Sequence, residues 1–252
     1  MKIANIYPIS NQLFYSSEEY VMILAHLLKK GGYCPQLFQE KQWIILDNGL
    51  FENQQVSTDL NDLIQLAENS GIPVKEIIIP DTMKDPQETK ELFERNYDLI
   101  VKWSSKYKFM FVLQAAVPED LSDMVSFINN KGRRCNLSVG IPKFAVYDRT
   151  GDYAIEQYKK CNYPIHFLGL IDSFDELNPV KDLIRSCDTS QLAFMAKNMW
   201  HLVRDDPYRG DGVLTFKRSR SSGTPIDLEH DVCSDIYLEE LISQFNKESK
   251  TC

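Results

Sequence analysis

The sequence lacks the features that mark several large classes of protein. No run approaches 18 uninterrupted apolar residues, so no transmembrane helix and no membrane partner are expected. The six cysteines include no C-x-x-C pair and the four histidines are dispersed, so we expect no metal site. The first residues, MKIANIYPISNQLFYSS, lack the apolar run of a secretory signal, and we therefore expect a cytoplasmic protein with reduced cysteines.

Positive charge is also scarce in the chain. Its 252 residues include 28 Lys and Arg against 36 Asp and Glu, which gives a formal net charge of −8. This balance argues against a protein that coats DNA non-specifically, but it is compatible with an enzyme that carries a local basic patch. Hydrophobic residues make up 43% of the chain, enough for a buried core, and this excludes extensive disorder.

Short apolar runs that are typical of buried strands alternate with helical patterns along the chain. Strands that are apolar on both faces belong in a parallel sheet covered on both sides. The predicted strands are Ile3–Tyr7, Trp43–Leu46, Glu76–Ile79, Phe109–Leu113, Cys135–Val139, Ile165–Leu170, Ile184–Cys187 and Leu192–Met195. The predicted helices are Glu18–Lys30, Asp59–Ser70, Pro86–Trp103, Pro118–Asn130, Asp152–Lys160 and Phe174–Leu183.

The alternation predicts a single α/β domain over residues 1–252, folded as a (β/α)8 or TIM barrel. Seven or eight strand–helix units in roughly 200 residues favour this barrel over an open doubly wound sheet. No Gly-rich phosphate loop follows the first strand, which weakens a dinucleotide-binding alternative. The composition changes at 205–229, which we interpret as a loop or β-hairpin insertion, and 231–248 is predicted to be a closing helix.

Polar residues directly follow several predicted strands, and in such a barrel the active site lies at the carboxyl ends of the strands. Asp47 and Asn48 follow one run, and Asp81, Gln114 and Asp188 follow three others. Other interpretations stay open, because Asp-Asn-Gly is a common turn sequence, either later aspartate suits a helix N-cap, and the glutamine suits a core hydrogen bond. Placement at four strand ends nevertheless favours a shared site.

The order and spacing of these segments resemble those of the tRNA-guanine transglycosylase family, and more closely its compact phage-type members that act in 7-deazaguanine modification of DNA. The resemblance covers roughly residues 40–195. It is carried by WIILDNGLFE, the strand that ends at Asp81, FVLQA, Ser138–Ile141, HFLG and the pair Cys187-Asp188.

The chain also departs from this family. It has no counterpart of the cysteine- and histidine-rich zinc subdomain of the tRNA enzymes. Serine, glycine, glutamine and glycine are usual in the family where this chain has Asn48, Leu50, Glu52 and Ala115. The family's nucleophile precedes a cysteine, whereas Asp188 follows one in SCDTSQ. The pocket is therefore expected to accept a different base.

The resemblance implies a base exchange without any cofactor. Asp188 would be the nucleophile that forms a covalent sugar–enzyme intermediate, and Asp47 the general acid and base. Asp81 and Gln114 would read the edge of the base, since a carboxylate accepts from guanine N1–H and a carboxamide donates to O6. The remaining expected base-binding residues are Gly140, Ile141, Asn48, Phe51, Leu168 and Gly169.

The expected partners are a 7-deazaguanine base and a nucleic acid, with DNA favoured over tRNA because the zinc subdomain is missing. Such a protein of viral origin would act in the host cytoplasm, and the oligomeric state stays open. Two alternatives also stay open: a hydrolytic base glycosylase or nucleosidase that uses the same carboxylates, and a non-catalytic subunit that binds a base or nucleic acid. Candidate phosphate contacts, some of which also suit a solvated hairpin tip, are Lys143, Arg149, Arg204, Arg209, Lys217, Arg218 and Arg220.

Overall fold

Eight parallel strands close into a barrel. The computed structural model describes residues 2–7, 9–50, 58–115, 117–142, 152–169, 180–189, 201–204 and 214–217. Each strand pairs with the next, and the last pairs with the first, so the predicted (β/α)8 barrel is confirmed. The strands are β1 Lys2–Asn5, β2 Tyr20–Leu24, β3 Trp43–Asp47, β4 Val74–Ile78, β5 Lys108–Val112, β6 Leu137–Pro142, β7 Ile165–Leu168 and β8 Ile184–Thr189.

Helices connect the strands on the outside of the barrel. Two of them begin at aspartate caps: the Asp59 carboxylate accepts from the N–H of Asn61, and the Asp85 carboxylate accepts from the N–H of Glu88. None of the helices in the described ranges combines the length and hydropathy needed to cross a bilayer. The helices are α1 Ala25–Lys29, α2 Leu60–Asn69, α3 Pro86–Arg95, α4 Tyr97–Trp103, α5 Pro118–Lys131 and α6 Asp152–Lys159, with 3-10 turns at Ile9–Ser17, Pro35–Leu37 and Gly132–Arg134.

Two helix predictions were wrong in part. The segment predicted as one helix, Glu18–Lys30, contains β2 and only the short α1, because YVMIL is a continuous apolar run that suits a strand buried on both faces. The predicted helix Pro86–Trp103 is two helices separated at Asn96. Of the predicted helix Phe174–Leu183, residues 180–183 form turns and the rest lies outside the described residues.

The described residues after the barrel belong to a small antiparallel sheet. Strand β9, His201–Arg204, pairs with β10, Leu214–Lys217. The second strand is the only described part of the insertion predicted at 205–229. The predicted strand Leu192–Met195 and the predicted closing helix 231–248 lie outside the described residues.

Side chains alternate along each strand between an outer core and the barrel interior. The outer core lies between strands and helices and contains aliphatic and aromatic residues such as Ile44, Phe109 and Phe167. The interior holds a much smaller apolar cluster, formed by Ala4, Ile6, Met22, Ile45, Ile78, Met110 and Val112. Polar residues occupy the remaining interior positions, and those near the carboxyl ends of the strands make up the candidate site.

Candidate active site at the carboxyl end of the barrel

Polar residues occupy interior positions of β6, β7 and β8 over two successive layers. The neighbouring positions along these strands pack into the outer core, as the alternation of a strand requires. Because a buried polar side chain is costly unless it is hydrogen-bonded, these polar residues need hydrogen-bond partners inside the barrel. They are all nearly or fully buried: Ser138, His166, Ser186 and Asp188.

Asp188 lies within β8, so its alternative role as a helix N-cap is excluded. Its carboxylate is nearly buried, with an exposed fraction of 6% for the residue. The oxygen Oδ1 lies 3.1 Å from Nε2 of His166 and accepts the backbone N–H of Gly169 at 3.1 Å. No described residue hydrogen-bonds the other oxygen, Oδ2, which leaves it available to a ligand at the mouth.

Gly169 is therefore placed beside Asp188, but with a role that differs from the expected apolar wall. Its φ of 84° lies in the left-handed region that glycine adopts without strain, and this conformation directs its N–H at the carboxylate. The sequence interpretation had found the residue and missed its function as a backbone donor.

Asp81 is held in a clamp of two side-chain amides. Asn48 Nδ2 donates to Oδ1 at 2.6 Å, and Gln114 Nε2 donates to Oδ2. Burial raises the pKa of Asp81 to about 6, and the two amide donors act in the opposite direction. The N-cap alternative is excluded here as well, because Asp85 is the residue that caps α3.

The amides of this clamp have fixed orientations. The carbonyl oxygen of Gln114 accepts the backbone N–H of Lys84 at 3.0 Å, so its nitrogen must face Asp81. Asn48 also donates to the carbonyl oxygen of Ile79 at 3.0 Å and accepts the N–H of Leu50 at 2.9 Å. Both N–H groups of the Asn48 side chain thus donate within the protein. Asn48 therefore positions Asp81 and has no N–H left to donate to a base.

Asp47 ends β3 on the interior side, in register with the inward-facing Trp43 and Ile45. Its carboxylate accepts the N–H of Gly49 at 2.8 Å, and Gly49 has a φ of 75°. The turn interpretation and the strand-end interpretation of Asp-Asn-Gly are therefore both correct. The half-buried Asp47 is a carboxylate of the same barrel mouth as Asp81 and Asp188.

The surroundings of Gly140 and Ile141 do not favour the contact with a base that the sequence predicts. A Cβ on Gly140 would lie 2.9 Å from Cδ1 of Leu168 and 3.1 Å from Sδ of Met110, so these side chains cover its backbone. Its carbonyl is also engaged, since it accepts from the N–H of Leu113 at 2.9 Å. Ile141 packs in the outer core, because it alternates with the inward-facing Gly140. Leu168, another predicted base-binding residue, is half-buried and lies on the interior side of β7, as Gly140 does on β6.

Several predicted contacts fall outside what the structure describes. Phe51 belongs to the range 51–57, and the predicted phosphate contacts at Lys143, Arg149, Arg209, Arg218 and Arg220 lie outside the described residues too. Only the backbone of Arg204 and Lys217 is described. The two residues lie at opposite ends of the β9–β10 sheet, since Arg204 is paired with Leu214 and Lys217 with His201.

Sequence reasoning missed the histidine at the centre of the site. His166 is fully buried, and its Nδ1 lies 2.8 Å from Oγ of Ser186 while its Nε2 faces Asp188. The available signal was the alternation of polar residues in IRSCDT, where positions 186 and 188 share a face, together with a histidine inside the apolar run IHFL.

A second buried polar group lies towards the amino-terminal end of the barrel, around Glu76. This fully buried carboxylate accepts from Nε1 of Trp43 at 2.6 Å, from the hydroxyl of Ser138 and from the guanidinium of Arg185 at 2.9 Å. The guanidinium also lies 5.5 Å from the centre of the Trp43 ring. A buried charge with this many donors is well compensated, which indicates a structural role.

A cavity of about 560 Å³ lies elsewhere, on the outside of the barrel between α1 and α2. It contains none of the strand-end residues, and its charged lining residues are Lys29 and Asp62. We assign the candidate site to the mouth because titratable side chains converge there with buried hydrogen bonds. Over the described ranges, no three His, Cys, Asp or Glu side chains are grouped as metal ligands would be.

Comparison with known proteins does not name a family. No protein-family model matches the chain, and a search of curated proteins finds no match. What the protein does has therefore to be inferred from the residues at the barrel mouth.

Proposed function

We propose that the protein is a transglycosylase that exchanges guanine in a nucleic acid for a 7-deazaguanine base. The observation that supports it most is the pair of differently held carboxylates at one barrel mouth. Asp188 has one oxygen fixed by donors from β7 and one without a described partner, and Asp81 is clamped between two amides. The first arrangement suits a nucleophile, and the second suits recognition of a polar base edge.

The covalent step requires a carboxylate that can approach C1′ of the sugar. Oδ2 of Asp188 attacks C1′ as the bond from C1′ to N9 of guanine breaks, and the electron pair of that bond leaves with the base. Asp47 supplies the proton that the departing guanine needs. In the second half of the exchange, Asp47 accepts the N9 proton of the incoming deazaguanine as that nitrogen displaces Asp188 from C1′.

The amide clamp can form further hydrogen bonds, and these match the donors and acceptor on the edge of guanine and its 7-deaza analogues. A carboxylate offers about four acceptor positions, and the two side-chain amides take one on each oxygen of Asp81. Guanine N1–H and the 2-amino group can use the others. The second N–H of Gln114 is the neighbouring donor for O6, since the carbonyl of this residue is held by Lys84.

The choice of nucleic acid rests on the sequence. The chain resembles the compact phage-type members of the family more closely than the tRNA enzymes, which favours DNA. A target guanine must leave the base stack to reach a buried carboxylate such as Asp188, so the substrate is bound with this base flipped out. A phage protein of this kind would act in the cytoplasm of the host.

The direct test is incorporation of labelled guanine into an oligonucleotide. Purified protein is incubated with labelled guanine or 7-deazaguanine and with guanine-containing DNA or tRNA, beside an Asp188→Asn variant as the matched control. We expect label to enter DNA with the wild type and not with the variant. Release of guanine without incorporation of label would instead identify a hydrolase, and neither release nor incorporation would overturn the proposal.

A further inference from the structure

A chain of hydrogen bonds runs through the barrel interior and ends at Asp188. It begins at Glu76, which accepts from Arg185, and the Nε of Arg185 lies 3.2 Å from Oγ of Ser186. The same Oγ lies 2.8 Å from Nδ1 of His166, whose Nε2 lies 3.1 Å from Oδ1 of Asp188. The chain thus connects the buried Glu76 group with the mouth through side chains on two neighbouring strands, β7 and β8.

The donors in this chain can point in only one direction. Arg185 has no acceptor atom, so its Nε–H must donate to Oγ of Ser186. The hydroxyl hydrogen of Ser186 then has His166 Nδ1 as its acceptor among the described residues. A nitrogen that accepts cannot carry a proton, so the proton of the neutral ring is on Nε2, and it is donated to Asp188.

The opposite tautomer leaves two groups unsatisfied. With the proton on Nδ1, the ring would donate to Ser186. The hydroxyl hydrogen of Ser186 would then have no acceptor among the described residues. The lone pair of Nε2 would then face the carboxylate of Asp188 at 3.1 Å. Both consequences are unfavourable for fully buried atoms.

The surroundings of His166 contain few other ionisable groups. On β8 these are Asp188, Arg185 and Cys187, and the thiol packs in the outer core. The other flanking strand, β6, carries none in the sequence LSVGIP. Glu76 and Lys108 lie deeper in the barrel, where Glu76 is bound by Arg185.

We propose that His166 is a positioning residue for Asp188, locked as the Nε2–H tautomer by Ser186 and Arg185. Together with the N–H of Gly169 it fixes Oδ1, which turns Oδ2 towards the reacting sugar. This role rests on the proposed function for its catalytic consequence, but the tautomer and its dependence on Ser186 do not. Each part therefore has its own measurement.

The first measurement is steady-state exchange of labelled guanine with variants at position 166. His166→Leu removes the donor and should lower kcat about 100-fold with little change in KM for the base, since a misdirected nucleophile slows chemistry more than binding. His166→Gln places an amide N–H near the position of Nε2 and should restore kcat to within about tenfold of the wild type. An unchanged kcat in a folded His166→Leu variant would overturn the proposal.

The second measurement needs no activity. Nitrogen-15 spectra of histidine-labelled protein report which ring nitrogen carries the proton, and His166→Gln assigns the signal. We expect the Nε2–H form in the wild type and loss of this single form in Ser186→Ala. Ser104→Ala is the matched control: it removes a hydroxyl that directly follows α4 and hydrogen-bonds Ile100 and Asn136, away from this network, and it should leave the tautomer unchanged.

The outcomes separate the two proposals. If the wild type exchanges no base but shows the Nε2–H form that depends on Ser186, the transglycosylase proposal fails and the hydrogen-bond lock stands. If exchange occurs but His166 carries its proton on Nδ1, or responds equally to both serine substitutions, the positioning role is wrong and the enzyme activity is unaffected.

Discussion

The backbone N–H of Gly169 and the carboxylate of Asp188 are joined by a hydrogen bond of 3.1 Å between β7 and β8. The bond ends on Oδ1, the oxygen that also faces His166, so both donors act on the same side of the carboxylate. A carboxylate with one oxygen bound twice has little rotational freedom. The orientation of the proposed nucleophile is therefore set by one neighbouring strand.

Asp188→Asn should abolish exchange, because a neutral amide cannot form an ester bond to C1′. Wild-type protein incubated with a guanine-containing oligonucleotide and a competing base should give an adduct that survives denaturation, and the variant should give none. Denaturing gel electrophoresis with a labelled oligonucleotide measures this directly. Asp47→Asn is the companion variant, which should bind the oligonucleotide normally but release guanine slowly. An adduct that persists in Asp188→Asn and disappears in Asp47→Asn would show that the two roles are reversed.

Affinity for guanine should fall as the solution is acidified through pH 6. Burial raises the pKa of Asp81 to about 6, and the protonated form loses acceptor capacity for the N1–H of the base. Binding should therefore be at its full strength above this pH and weaken about tenfold per pH unit below it. Calorimetric titration with guanine between pH 5 and 8 measures the effect.

Two controls identify Asp81 as the group responsible. Asp81→Asn should bind guanine weakly and with no step near pH 6. Glu18 is a second buried carboxylate whose pKa is raised by burial, but it hydrogen-bonds Asn5 and Tyr7 away from the amide clamp. Glu18→Gln should therefore keep the pH dependence, and its loss in this variant would refute the assignment.

Glu76→Gln should destabilise the barrel by about 3–5 kcal/mol. The substitution removes the charge that compensates the half-buried Arg185. Its amide N–H would face either Trp43 and Arg185, which donate to Oε2, or Ser138, which donates to Oε1. Urea unfolding measures the free energy. Glu88→Gln is the matched control, because Glu88 pairs with Arg95 at the surface and should contribute at most about 1 kcal/mol. If both variants lowered the free energy of unfolding equally, the buried Glu76 group would contribute no more to stability than a surface ion pair.

Gly140→Ala should cost about 1–3 kcal/mol, because its Cβ would lie 2.9 Å from Cδ1 of Leu168. Leu168→Ala removes that atom, so the double variant should be more stable than the sum of the two single effects predicts. Urea unfolding of the four proteins gives this interaction energy. Gly132→Ala is the control, because its new Cβ would contact Leu137 and Tyr163. Its effect on the free energy of unfolding should be the same with and without Leu168→Ala. Simple additivity of the changes at Gly140 and Leu168 would contradict the packing described above.

The sequence predicted the barrel because strand and helix alternate so regularly, but it did not distinguish every element. In YVMILA the apolar run is continuous, and periodicity alone cannot separate a buried strand from a helix, so β2 was missed. The strand-end aspartates could be found because they directly follow apolar runs. Their partners could not, since the contact of Gln114 with Asp81 and that of His166 with Asp188 depend on which strands are neighbours in three dimensions.

The position of β8 between β7 and β1 bears on the order in which the parts of the site form during folding. Asp188 lies opposite Ala4, so its strand is held on one side by the beginning of the barrel and on the other by β7. Contacts between such distant parts of a chain carry a high entropic cost of loop closure and form slowly. A partly folded chain in which β2 to β7 had assembled would already contain the clamp around Asp81, but Asp188 on β8 would not yet be in place. The clamp around Asp81 can thus form before Asp188 is oriented by β7, and the barrel becomes a closed ring only when β8 also pairs with β1.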